Sequence, residues 1–179
     1  MNTATAQARG SLKTKDITGI VARSTTNTVS PPYWSDFMSE MLGKIRSGGK
    51  PKPEAYPAAA VIQYVQRGLK PKAVTNLQEA LDITKGDTYE LLGIPHTTFN
   101  RRIKEGRLKP EESDRVFRFA WLLSQAIAMM QGDRDSAIRW FKTEQEIFGG
   151  NTPMQQATSE LGAREVENLI GRIRHGVFS

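Results

Sequence analysis

A chain of 179 residues with 25 Lys and Arg against 19 Asp and Glu has a formal charge of +6 and a pI near 9.7. It has room for one ordinary core or two small helical units, which rules out a large multidomain enzyme, and its basic balance points to an anionic partner, most simply nucleic acid. The absence of cysteine excludes disulfides, thiolate catalysis and Cys-ligated zinc and permits a reducing compartment, and no apolar run approaches a membrane span.

The charge is uneven: residues 1–53 hold an excess of +5, residues 54–132 of +2 and residues 133–179 of −1. Residues 1–30 are polar and poor in large apolar groups, which reads as a flexible arm. After Ser30-Pro31-Pro32, the side chains Trp34, Phe37, Met38, Met41, Leu42 and Ile45 recur on one face of a short amphipathic helix. Ser47-Gly48-Gly49 stops it and Lys50-Pro51-Lys52-Pro53 reads as a linker. A helix of about four turns is marginal in water by itself, so this face docks either on the body of the chain or on a second copy. The six apolar residues are therefore the candidates for dimerisation.

From Ala58 onward the pattern is helices joined by short turns, with no alternating strand, so the fold class is all-α. The first helix is predicted over 59–69, stopped by Pro71, and the second over 72–81. Thr84-Lys85-Gly86-Asp87 has the form of a capping box with Asp in place of Glu, opening a helix through Leu92. Gly93 ends it, Ile94-Pro95 turns the chain, and a helix from Thr97 to Lys104 follows, ending near Gly106. Pro110-Glu111-Glu112 places proline and two carboxylates in the first turn of a long helix to about Met130. Its apolar face of Val116, Phe119, Ala120, Leu123, Ile127 and Met130, with Trp121 and Leu122 beside it, is wide enough for burial on two sides, as in a spine joining a middle unit to a C-terminal one. Asp133 caps a further helix holding Ala137, Ile138, Trp140 and Phe141.

Two surfaces carry functional patterns. Asp87 to Lys109 has the layout of a helix-turn-helix: Leu91, Leu92 and Ile94 form the apolar joint, Gly93 the turn, and Phe99 and Ile103 hold the second helix on the core. His96, Thr97, Thr98, Asn100, Arg101 and Lys104 then face outward, side chains that read base edges and phosphates from a recognition helix. Lys85, at the start of the preceding helix, joins them as a DNA-binding candidate. Gly93 to Lys109 holds five basic residues against Glu105 alone. Arg101 and Glu105 also stand at i, i+4, where they can form a solvated ion pair.

The second surface is the C-terminal stretch. Gly149 and Gly150 precede Asn151-Thr152-Pro153, a polar cap and a proline that open a helix. Gly162 is expected to break that run, with a second helix from Ala163 to His175 carrying Val166, Leu169, Ile170 and Ile173 and closing on Gly176 in a left-handed cap. Val177-Phe178-Ser179 leaves an apolar pair at the end, tucked inward or offered to another protein.

The blocks LLGIPHTTFNRRIKEGRLKPEESDRVFR, AIRWF and FGGNTPMQQATSELGAREVENLIGRIRHGVF together resemble the Xre/MbcA/ParS family of bacterial type II antitoxins over roughly Ala73 to Ser179. The resemblance implies a central helix-turn-helix that represses the operon by binding operator double-stranded DNA. It also implies a small helical C-terminal domain that neutralises a RES-domain toxin acting on NAD. By position, the toxin-binding motif falls on Phe148, Gly149, Gly150, Thr152, Pro153, Leu161, Gly162, Val166, Arg172, Ile173, His175, Gly176, Val177 and Phe178. In a pocket shaped for a dinucleotide, Phe178 would take the ring region and the Ser179 carboxylate a phosphate position, while Arg172 and Arg174 favour the helix dipole or acidic toxin groups.

Enzyme readings fail on the residues. His96 and His175 have no carboxylate partners at a recurring ligand spacing, and no hydrolase triad emerges. Gly43 to Lys50 misses the phosphate-loop spacing by one, with Pro51 where Ser or Thr is needed. What the resemblance implies is therefore a bacterial cytoplasmic antitoxin, and the expectation is no catalytic residue, metal or cofactor and a homodimer or higher oligomer. Its expected parts are residues 1–53 (arm, amphipathic helix and linker, with self-association), 54–131 (helix-turn-helix) and 132–179 (toxin-binding). A stand-alone helix-turn-helix regulator whose C-terminal unit only dimerises is the alternative.

Overall fold

In the computed structural model, residues 58–176 are described, together with Met38, Glu40, Met41 and Leu42. Among the described residues the regular structure is helical, with no strand. Among the described residues from Ala58 onward, eight α-helices follow in order: α1 Ala58–Gln66, α2 Lys72–Leu81, α3 Lys85–Leu92, α4 His96–Glu105, α5 Pro110–Met129, α6 Arg134–Phe141, α7 Pro153–Gln156 and α8 Glu160–His175, with a 3-10 turn at Glu146–Phe148.

The caps that punctuate the sequence set most of these bounds. Thr84 and Asp87 exchange backbone and side-chain hydrogen bonds at the start of α3, Asp133 accepts from the Ser136 N–H at 3.0 Å, and Thr152 and Gln155 form a second reciprocal box. At the other ends Gly93, Gly106 and Gly176 take left-handed conformations as C-caps of α3, α4 and α8. Pro110 stands at the first position of α5, with Glu111 and Glu112 in its first turn.

Helix α5 is the spine. From Leu122 to Ile127 every side chain is buried, because α5 packs against five other helices, α1, α2, α3, α6 and α8. One continuous core results, running from Leu69, Leu77, Leu81 and Leu92 through Phe119 and Leu123 to Phe141, Val166 and Ile170.

Three expectations are corrected. The first helix ends at Gln66, and Gly68 rather than Pro71 turns the chain. Gly68 has φ of +83°, and a Cβ there would stand 2.2 Å from the Leu108 carbonyl oxygen; the Leu108 N–H donates to the Leu69 carbonyl at 2.8 Å, so only a residue without a side chain admits this crossing.

Gly162 does not break the C-terminal run. It lies inside α8, whose N-cap is Ser159, with the Ser159 Oγ accepting from the Gly162 N–H at 3.0 Å. The break falls earlier, after Gln156. Gly162 is required by proximity: a Cβ would meet the Gln156 carbonyl oxygen at 1.9 Å.

The third correction concerns self-association. Met38, Met41 and Leu42 are buried in the chain's own core, which removes them as candidates for dimerisation. Their backbone is held as well, since the Asn76 side chain donates to the Glu40 and Met41 carbonyls and the Tyr64 hydroxyl to that of Leu42. The side chains of Met38, Met41 and Leu42 are thus covered by the chain's own body. Trp34, Phe37 and Ile45 lie outside the described residues, as does the 1–30 arm.

Candidate nucleic-acid and toxin interfaces

Helices α3 and α4, joined by Gly93-Ile94-Pro95, form the helix-turn-helix. Leu92 and Ile94 are fully buried at the joint and Leu91 packs on the core while partly exposed. The Tyr89 ring lies between His96 and Phe99, with centroids 5.5 and 5.4 Å away, which fixes the entry of α4 against α3. The inward residues of α4 are Phe99 and Arg102. Ile103 was expected to be the second inward anchor, and instead 53% of it is exposed. Positions 102 and 103 both share the face of Phe99 one turn on, and the one drawn inward is Arg102, 3% exposed.

Arg102 takes the anchoring role through chemistry. Its Nε lies 2.7 and 3.0 Å from the two carboxylate oxygens of Glu112, Nη2 donates to one of them at 2.9 Å, and Nη1 donates to Glu105 at 2.6 Å. Glu112 also accepts from the Lys109 N–H at 2.8 Å, closing the first turn of α5. Burial raises the Glu112 pKa, but the bonds from Arg102 and the Lys109 N–H, with the charges of Arg102 and Arg115, offset it and hold the carboxyl below its ordinary value. The Arg102 guanidinium is correspondingly raised by its bonds to Glu112 and Glu105. Sequence reading assigned Glu112 only a helix-dipole role; the signal for the pair was an arginine at a periodic inward position of α4.

The outward side chains of α4 stand on two rows. Thr97, Arg101 and Lys104 are exposed on one; His96 and Asn100 are exposed on the flank, with Asn100 Nδ2 and His96 Nε2 3.3 Å apart. Thr98 is half-buried, and Lys85 is exposed at the first position of α3. Arg101 approaches Glu105 at 3.6 Å with both side chains largely in water, a contact too weak to withhold the guanidinium from a phosphate or base.

On the C-terminal half, Gly149 and Gly150 are exposed with φ of +65° and +91° and turn the chain after the 3-10 element. Thr152 is committed to capping α7, its hydroxyl accepting from Gln155 at 3.1 Å. Phe148, Pro153 and Val166 are buried, whereas Leu161 is 72% exposed. Arg172 and Ile173 are partly buried near the end of α8, and His175 and Gly176 are exposed there. Val177, Phe178 and Ser179 lie outside the described residues. Two polar links hold α8 on the spine: Trp121 Nε1 donates to Glu167 at 3.1 Å and Arg174 Nη1 to Gln125 at 3.2 Å.

Among the described residues no helix is long and apolar enough to cross a membrane, and no three His, Asp or Glu side chains gather as metal ligands.

Comparison with known proteins matches both halves. Residues 60–120 match the family model of the antitoxin Xre-like helix-turn-helix domain, and residues 125–176 that of the antitoxin Xre/MbcA/ParS C-terminal toxin-binding domain. An Antitoxin Xre from Yersinia enterocolitica is 33% identical over 120 residues, covering 66% of this chain and 81% of the relative. Another from Photorhabdus laumondii is 34% identical over 116 residues, 64% of this chain and 78% of the relative. A recognition-type helix and a toxin-binding domain on one spine, with relatives of this likeness, establish that the chain belongs to the Xre family of antitoxins.

Proposed function

We propose that the chain neutralises a RES-domain toxin acting on NAD, by covering its active site with the C-terminal domain, and represses its own operon through the helix-turn-helix. The observation that carries this reading is the separation of the two surfaces along α5. The recognition face of α4 is anchored at the N-terminal end of the spine through Glu112, and α8 is fastened to its later turns through Trp121 and Gln125. The DNA-binding part spans 54–131, with Lys85, His96, Thr97, Thr98, Asn100, Arg101 and Lys104 toward operator DNA. The toxin-binding part spans 132–179, with Gly149, Gly150, Thr152, Arg172, His175, Gly176, Val177, Phe178 and Ser179 toward the toxin. The active form is a homodimer or higher oligomer in the bacterial cytoplasm, and the chain catalyses nothing itself.

Co-expression with a RES-domain toxin from the same operon tests this. The full chain restores growth and cellular NAD, and the chain lacking Val177-Phe178-Ser179 does not. Failure of the full chain to rescue overturns the reading in favour of a stand-alone regulator.

A further inference from the structure

On the C-terminal half, a groove of about 460 Å³ is lined by Ile147 and Phe148 from the 3-10 turn and by Glu165, Asn168 and Arg172 on α8. The three α8 residues stand at i, i+3 and i+7 on a single stripe. Folding accounts for Phe148, which is buried, but not for its neighbour Ile147, 54% of which faces water. Nor does it account for Arg172, whose Nε is closed off from solvent without any hydrogen-bond partner. A buried donor left open is costly unless something supplies an acceptor. Glu165, the acid sharing the groove, is engaged by the Gln156 side chain and forms no ion pair with Arg172.

We propose that this groove receives a protruding segment of the toxin that carries a carboxylate beside an apolar side chain. The carboxylate accepts from Arg172, and the apolar group covers Ile147. This rests on the antitoxin reading above, in which Arg172 already faces the toxin, and names the chemistry of the group that Arg172 and Ile147 hold. The occupant is a protein acid rather than a nucleic-acid phosphate, for two reasons. Residues 133–179 carry a net charge of −1, which gives this half no long-range pull on a polyanion. An arginine beside an exposed aliphatic side chain suits a protein interface, where such anchors dominate binding.

Calorimetric titration of the full chain with the operon's RES-domain toxin provides the test. Arg172→Met and Ile147→Ser each raise Kd about tenfold or more. Only Arg172→Met flattens the dependence of Kd on salt, and Arg172→Lys restores that dependence. Circular dichroism and denaturation midpoints verify that the variants fold. Wild-type Kd in both variants overturns the groove and leaves the antitoxin reading standing. A weakened Arg172→Met complex with unchanged salt dependence overturns the acidic occupant. Absence of a complex with the unmodified chain overturns both readings.

Discussion

Arg102 of α4 and Glu112 of α5 meet side-on across the Gly106 to Lys109 connection, Nε and Nη2 of the one against both oxygens of the other, with both residues buried. The pair does for α4 what a second aliphatic anchor would do, and adds direction: a bidentate contact fixes rotation as well as distance. An arginine removed from water at this position has no other strong acceptor except Glu105, so loss of Glu112 leaves a charge largely uncompensated.

The depressed pKa of Glu112 ties this joint to pH. A carboxyl whose folded value lies below its unfolded value, about 4.3 for glutamate, contributes stability above that value and loses it as pH falls through the folded one. Unfolding free energy therefore declines below about pH 4, and Glu112→Gln removes that part of the decline. At neutral pH, Glu112→Ala costs on the order of 3 kcal/mol. Urea titrations at a series of pH values check both; a Glu112→Gln profile parallel to the unaltered one counts against the pair as its source.

Gly162→Ala sets two effects against each other. Alanine gains about 1 kcal/mol over glycine inside a helix, but the added Cβ lies 1.9 Å from the Gln156 carbonyl oxygen, and backbone cannot give way as a flexible side chain does. The clash wins, with a net loss of about 2 kcal/mol or more in chemical denaturation. A neutral or stabilising result would mean that α7 and α8 pack less closely than described.

Arg101→Ala weakens binding to DNA from the chain's own promoter region about tenfold and lowers the slope of log affinity against log salt by roughly 1. It leaves the denaturation midpoint unchanged, since the side chain is exposed and its contact with Glu105 is long. Fluorescence anisotropy at several salt concentrations measures both, and unaltered values would remove α4 from the reading face.

Met41→Ala separates the two docking choices for the amphipathic segment. Met41 is buried in the chain's own core, so truncation costs about 3 kcal/mol and leaves the oligomeric state, read by light scattering, as it is in the unaltered chain. A change to a smaller species would instead point to a second copy covering this face.

Local chemistry made much of the fold legible. Thr84 with Asp87, Asp133, Thr152 and the glycines 93, 106 and 176 each announce a helix end through a bond or backbone angle that depends on near neighbours alone. What escaped depends on residues distant in sequence or adjacent in space. Gly68 is required by Leu108 and Gly162 by the carbonyl of Gln156, neither of which a periodic pattern reveals. Ile103 and Arg102 exchange the roles that their polarity suggests, because the acid that makes burial of an arginine affordable lies ten residues on. The outward row of α4 was readable from helical period alone, while the groove at Ile147 and Arg172 exists only once the 3-10 turn is laid against α8.

Because α5 grips α4 with its first turn and α8 with its later ones, the two halves are not interchangeable parts. A chimera that joins the reading head of one relative to the inhibitory half of another must take the whole twenty-residue helix from a single parent and import its counterpart contacts from the same source. A seam along α5, or at a turn that flanks it, mates an arginine, tryptophan or glutamine to a stranger unless the facing residue on α4 or α8 comes from the parent that supplies α5.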